Sequence, residues 1–198
     1  MEPKGLFKFV MSILTVFILL SGCSTSKPSL ELVSSTVEIR IDKDRLGGSH
    51  NTSGEKKGEV IVPYALSYNF VLKNTGSKTL GGAEKLNVRA LEYDDGIKIL
   101  IQPNEELKEI SEELMGVNIY DREEYFGMGI RSAPVLEPNQ EREYAFDFHL
   151  GVSEENTELK LAPPLEQLER LKEHAMNATL IVSIEGEEIA RFDLSNLD

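Results

Sequence analysis

Val60-Ile-Val-Pro-Tyr-Ala-Leu-Ser-Tyr-Asn-Phe-Val-Leu72 carries an apolar or aromatic side chain at every even position, from Val60 and Val62 through Tyr64, Leu66, Tyr68 and Phe70 to Leu72. The odd positions include Pro63, Ser67, Asn69 and, just beyond, Lys73. Side chains on a strand alternate between its faces, so this stretch predicts a half-buried β-strand with its even positions inward. Pro63 has no N–H to donate and marks an edge position or a bulge. Working outward, Val37, Ile39 and Ile41 form one face of an earlier strand, against Glu38 and Arg40 on the other. Leu86, Val88 and Ala90 begin another, and Asp95-Gly96 predicts a hairpin turn into Ile97, Ile99 and Ile101, because both residue types tolerate positive φ. Tyr144, Phe146, Phe148 and Leu150 make an aromatic stripe, and Leu180, Val182 and Ile184 another apolar one. After Glu185-Gly186-Glu187 the chain returns through Ala190, Phe192 and Leu194. The pattern is that of mostly antiparallel β-structure with one face packed and one wet.

Two helices interrupt the strands. Asn104 can cap a helix whose first turn holds Glu105 and Glu106, where the helix dipole favours acids. Leu107, Ile110 and Leu114 share its predicted inner face, and Gly116 can end it. The second helix begins after Pro163-Pro164, with Leu165, Leu168 and Leu171 inward and Glu166 four residues before Arg170.

The 198 residues are 40% apolar and 28% charged, which suits a globular domain and argues against disorder. A single cysteine rules out an intrachain disulfide scaffold. With 34 acidic against 21 basic residues the net charge is −13, which repels phosphate and argues against nucleic acid as a partner. Phe70-Val-Leu-Lys-Asn-Thr-Gly-Ser-Lys-Thr-Leu80 resembles the strand-turn segment of bacterial immunoglobulin-like β-sandwiches, and Val135-Leu-Glu-Pro-Asn-Gln140 is similar to the turn that leads into one of their strands. The resemblance implies an antiparallel immunoglobulin-like β-sandwich with two short helices inserted, forming one domain over residues 30–198. The inserted helices and the missing Cys…Trp…Cys set depart from the antibody-type pattern.

The first 22 residues have a different character. Lys4 and Lys8 precede a run of 12 mostly apolar residues, Phe9 to Leu20, followed by the small residues Ser21 and Gly22. That order predicts a secretory signal over residues 1–22, too short in its apolar part to span a bilayer comfortably. Leu20-Ser21-Gly22-Cys23 resembles the lipobox of bacterial lipoproteins. The resemblance implies cleavage before Cys23, lipidation of its thiol and a short polar tether over residues 23–29. It implies a chain anchored by lipid to the extracytoplasmic face of the cell membrane. Acyl chains contribute about 0.8 kcal/mol per buried CH₂, so several of them hold the anchor stably.

Little in the sequence points to catalysis. Cys23 is committed to lipid, and the histidines are His50 in a glycine-rich loop, His149 and His174. His149 lies two residues from Asp147 on the predicted wet face, a spacing that suits a solvated pair better than a metal site, and no third ligand is placed. Asp42-Lys-Asp44 opens like a calcium loop but then offers Leu46 where an oxygen ligand is needed and Ser53 where the pattern requires Glu. Gly47-Gly48 and Gly81-Gly82 lack the lysine of a phosphate cradle and read as turns. Neither metal nor cofactor is expected. Val117 to Pro134 follows neither period and mixes Tyr120, Tyr125 and Phe126 with Arg122 and Arg131, side chains enriched in binding hot spots. The same aromatics can instead plug the end of the sandwich. The combined reading is a lipid-anchored, non-enzymatic binding module for a protein or envelope component. An extracytoplasmic hydrolase or a small solute-binding lipoprotein are the alternatives.

Overall fold

The computed structural model describes residues 29–50, 57–88, 92–125, 127–154 and 159–196. The signal segment, Cys23, Ala90 and Phe126 lie outside the described residues. Eleven strands and three helices are present among those described: β1 (Leu30–Arg40), α1 (Lys43–Leu46), β2 (Ser49–His50), β3 (Val60–Ile61), β4 (Pro63–Asn74), β5 (Leu86–Asn87), β6 (Glu92–Tyr93), β7 (Ile97–Pro103), α2 (Glu105–Met115), β8 (Met128–Arg131), β9 (Glu141–Val152), α3 (Leu165–His174), β10 (Ala178–Ile184) and β11 (Glu187–Asp193).

The protein is mostly β, and its strand pairs are antiparallel. One sheet runs β1-β4-β9-β8 and a second runs β11-β10-β7, with two further two-stranded pairs at the periphery. The even-numbered stripe behaves as its alternation requires. Leu66 pairs with Phe148, Tyr68 with Phe146 and Phe70 with Tyr144, and all six side chains are buried. Ile97, Ile99 and Ile101 on β7 and Leu180 and Val182 on β10 close the same core from the second sheet. Leu107 and Ile110 of α2 and Leu168 and Leu171 of α3 complete it. Each such side chain contributes about 1.5–3 kcal/mol of hydrophobic stabilisation.

The predicted punctuation is partly realised. Asn104 caps α2, its side chain accepting from the Leu107 N–H at 2.8 Å, and Gly116 ends the helix in the left-handed region. Glu185 and Gly186 both take positive φ and join β10 to β11, as a two-residue hairpin turn requires. Pro63 opens β4 beside a register shift between Tyr64 and Ala65. The break splits the quoted stretch, leaving Val60 and Ile61 to pair with β2.

Several expectations need correction. Asp95-Gly96 does not fold Leu86–Ala90 onto β7, which pairs with β10 instead. Neither residue has positive φ, and the Asp95 carboxylate accepts from the Glu84 and Lys85 N–H groups, each at 3.2 Å. Leu86 and Val88 are consequently exposed, as is Ile41 beyond the end of β1. Leu165 is exposed in the first turn of α3, and Arg170 pairs at 3.1 Å with Glu113 of α2 rather than with Glu166. The short helix α1 adds a third to the two expected, with Asp42 as its cap. Finally, Met128–Arg131 is an edge strand paired with β9, within a segment that shows no strand period.

Candidate functional site

A cavity of about 580 Å³ opens at the end of the larger sheet where β4 begins and β9 finishes. Besides Pro63 at the start of β4, its walls come from five places. Leu46, Gly48 and Ser49 approach from α1 and the start of β2, while Met115 and Val117 come from the end of α2. Tyr125 and Gly127 arrive from the segment before β8, and His149 to Val152 from the end of β9. Leu159 and Lys160 close the side.

The end of β9 is shaped by a bulge. Ala65 faces His149 while its neighbour Tyr64 faces Gly151, so β9 carries one extra residue there. Gly151 has φ +113°, and a Cβ on it would lie 2.6 Å from the Lys160 carbonyl oxygen. Only glycine fits this close passage, which brings the returning 160–162 segment against the strand through two backbone hydrogen bonds between Val152 and Lys160 or Ala162. The opposite wall is fixed by Ser111, a fully buried side chain in α2. Its hydroxyl accepts from the Ile119 N–H at 3.0 Å and donates to the Val117 carbonyl at 3.2 Å. Tyr125 is tied down by its own hydroxyl, which donates to the His149 carbonyl, and the His149 N–H donates back to Gly127 at 2.7 Å. Burial pushes the Tyr125 phenol up to about 12.

Four residues with polar side chains line this mainly apolar space: Ser49, Tyr125, His149 and Lys160. The Lys160 ammonium donates to the Met115 carbonyl at 2.6 Å, capping the C-terminal end of α2 where a cation is favoured. The His149 imidazole has no hydrogen-bond partner among the described residues. Burial holds its pKa below the ordinary histidine value, opposed by the charge of Asp147. No carboxylate lines the cavity among the described residues.

Asp147 itself is not on a wet face. It is 5% exposed, accepting from Ser67 at 2.5 Å and from Arg45 Nε at 3.2 Å, with Arg45 Nη2 3.1 Å from its other oxygen. This contact straps α1 over the outer face of the sheet, and α1 in turn supplies Leu46 to the cavity. The carboxylate is thereby committed to Arg45 and Ser67 rather than to orienting His149.

The candidate binding segment is divided among several tasks. Tyr120 is buried and shares a 2.8 Å hydrogen bond with the Tyr68 hydroxyl, which donates to the Ala175 carbonyl. Burial raises the pKa of both phenols. The Arg122 guanidinium donates to the Ile99 carbonyl at 2.9 Å and sits 5.9 Å from the Phe146 ring centroid. Arg131 is exposed at the end of β8, Tyr125 lines the cavity, and Phe126 lies outside the described residues. His50 is exposed, near the Gly58 carbonyl, and His174 lies 3.4 Å from Glu106. Among the described residues no three His, Cys, Asp or Glu side chains come together as a metal site. None of their helices is long and apolar enough to cross a membrane.

The cavity residues Gly151 and Lys160, and Ser111 that holds the Val117 backbone, were not singled out by sequence reasoning. Gly151 did carry a signal, since a glycine breaking an alternating strand marks a bulge or a close backbone approach. No protein family, curated protein or solved structure matches this chain.

Proposed function

We propose that this protein is a lipid-anchored, extracytoplasmic and non-enzymatic binding module with an immunoglobulin-like β-sandwich fold, and that the cavity at the β4–β9 end is its ligand site. The cavity carries the reading: it is concave, mainly apolar and supplied with a few polar groups, the usual make-up of a small-molecule site. The strand order supports the fold. Taking the seven longer strands in chain order, the sheets run first-second-fifth-fourth and seventh-sixth-third, which corresponds to the ABED and GFC sheets of constant-type immunoglobulin domains.

Lipidation at Cys23 would set which end of the domain lies near the membrane. Ser29 enters beside the far end of β4, where its carbonyl accepts from the Thr75 N–H at 2.9 Å. The cavity lies at the Pro63 end of the same strand, roughly 36 Å away at the usual rise per residue. Residues 24–28, fully extended, span at most about 18 Å. With Cys23 in the membrane, so short a tether would keep the Ser29 end of β4 near the bilayer and leave the cavity at the opposite end of that strand. A hydrolase reading draws on His149 but has no carboxylate free to orient it among the described residues.

Two measurements test this. Cys23→Ala should abolish incorporation of a labelled fatty acid and block processing of the signal. Protein purified with its anchor should retain a small molecule, detected by mass spectrometry of the extract, that is lost from a cavity-filling Val117→Trp variant of unchanged melting temperature. Equal recovery from both proteins would overturn the assignment of the cavity as the ligand site.

A further inference from the structure

Resting on that reading of the cavity, we infer that its ligand is an amphiphile with one apolar chain and a single anionic head, of the carboxylate class. Leu46, Met115, Val117, Leu150, Val152 and Leu159 give the cavity an apolar lining suited to a hydrocarbon chain. Its polar groups reverse the charge of the chain as a whole. The chain carries 34 acids against 21 bases, yet the cavity lining presents Lys160 and His149 and no acid among the described residues. In so acidic a protein the natural excess on any surface is negative, so a lining with only cationic or protonatable groups favours an anion.

Both groups have unused capacity. An ammonium has three N–H donors, and Lys160 gives one to Met115, leaving two for a ligand. The His149 ring has no described partner, and a carboxylate is the group that both turns it into a double donor and stabilises its charged form. A neutral chain would leave the ammonium donors to water and gain nothing from either group. A cationic head would be repelled by Lys160.

The test uses the full chain in lipid nanodiscs and a ten-carbon carboxylic acid carrying a diazirine near its tail. Photolysis followed by peptide mapping should place the label on peptides containing Val117, Val152 or Leu159. Decanoate should compete at least about tenfold better than decanol, and decyltrimethylammonium should compete poorly. Lys160→Ala should weaken competition by decanoate about tenfold while changing that by decanol less than twofold, and Lys160→Arg should restore it. Circular dichroism melting of each variant checks that the fold is intact, and His149→Phe supplies a second head-group variant if Lys160→Ala unfolds. Equal competition by decanoate and decanol would overturn the anionic head and leave the cavity as a site for apolar chains. Label absent from all three peptides, with either head group on the probe, would overturn the cavity assignment itself.

Discussion

Replacing Asp147 with alanine should destabilise the protein by about 3 kcal/mol, although the residue sits on the outer face of the sheet. Its side chain is 8% exposed and that of Arg45 is 11%, so both charges are held largely out of water. Truncation leaves the Arg45 guanidinium without its anion and the fully buried Ser67 hydroxyl without its acceptor. Removing one member of a buried pair costs about 3–5 kcal/mol in general. The lower end applies here, because α1 is only four residues long and can let Arg45 swing towards solvent. Urea denaturation of wild type and Asp147→Ala measures the difference, and thermal melting should fall by about 6–12 °C for a chain of this size. The double variant Arg45→Met/Asp147→Leu removes both charges at similar volume and should recover part of the loss, the remainder being the Ser67 hydroxyl, which still lacks its acceptor. A loss below about 1 kcal/mol in Asp147→Ala would refute the argument, as would a double variant no better than the single one.

Three further outcomes are expected from the packing of β9. Phe148→Ala should cost about 3–5 kcal/mol, because the ring is 1% exposed and lies 5.0 Å from that of Tyr120, whereas half-buried His149→Ala should cost less than about 1 kcal/mol; urea titration compares them, and similar values would mean the two faces of β9 are confused. Gly151→Ala should cost more than about 2 kcal/mol, since it meets both a positive φ and a carbonyl oxygen 2.6 Å from the new Cβ; a neutral substitution would show that the bulge relaxes freely. His149, whose pKa burial depresses, binds its proton more tightly in the unfolded chain, so its contribution to stability is present above about pH 6.5 and fades as the pH falls below it. His149→Gln should therefore lose less stability than wild type between pH 7 and pH 5, and a steeper loss in the variant would contradict the sign.

The core was legible in the sequence because it rests on period-two alternation, which survives any arrangement of the strands. Leu66, Tyr68 and Phe70 face inward whichever strand lies beside them, as do Phe146 and Phe148. Turn chemistry was less reliable because it is local, whereas pairing is not. Asp95-Gly96 has the composition of a hairpin, but its carboxylate finds backbone donors at Glu84 and Lys85, and β7 finds β10 at least 75 residues later. Glu185-Gly186, a less obvious pair, makes the tight turn because the strands on both sides are long enough to zip together. The cavity was out of reach for a related reason. Its walls are assembled from residues separated by up to 114 positions, Leu46 to Lys160, and no short motif records that meeting.

Asp147 and His149 show how far a strand's alternation can carry an argument. Both side chains point to the outer face, as their spacing of two residues demands, and alternation alone gives them the same solvated environment. What separates them is α1, a four-residue helix whose capping Asp42 was visible only as part of a failed calcium loop. Arg45 of that helix reaches Asp147 and closes the face over it, while Leu46, the next residue, turns to the cavity beside His149. One acid is thereby neutralised and buried, and one imidazole is left facing apolar space without a described partner. If the Arg45–Asp147 contact is what holds α1 in place, it also holds the Leu46 wall of the cavity. Asp147→Ala should then weaken ligand retention as well as stability, while the charge-free Arg45→Met/Asp147→Leu pair, which keeps the volume under α1, should recover part of both together. Recovery of stability without recovery of ligand would show that the strap and the cavity are independent.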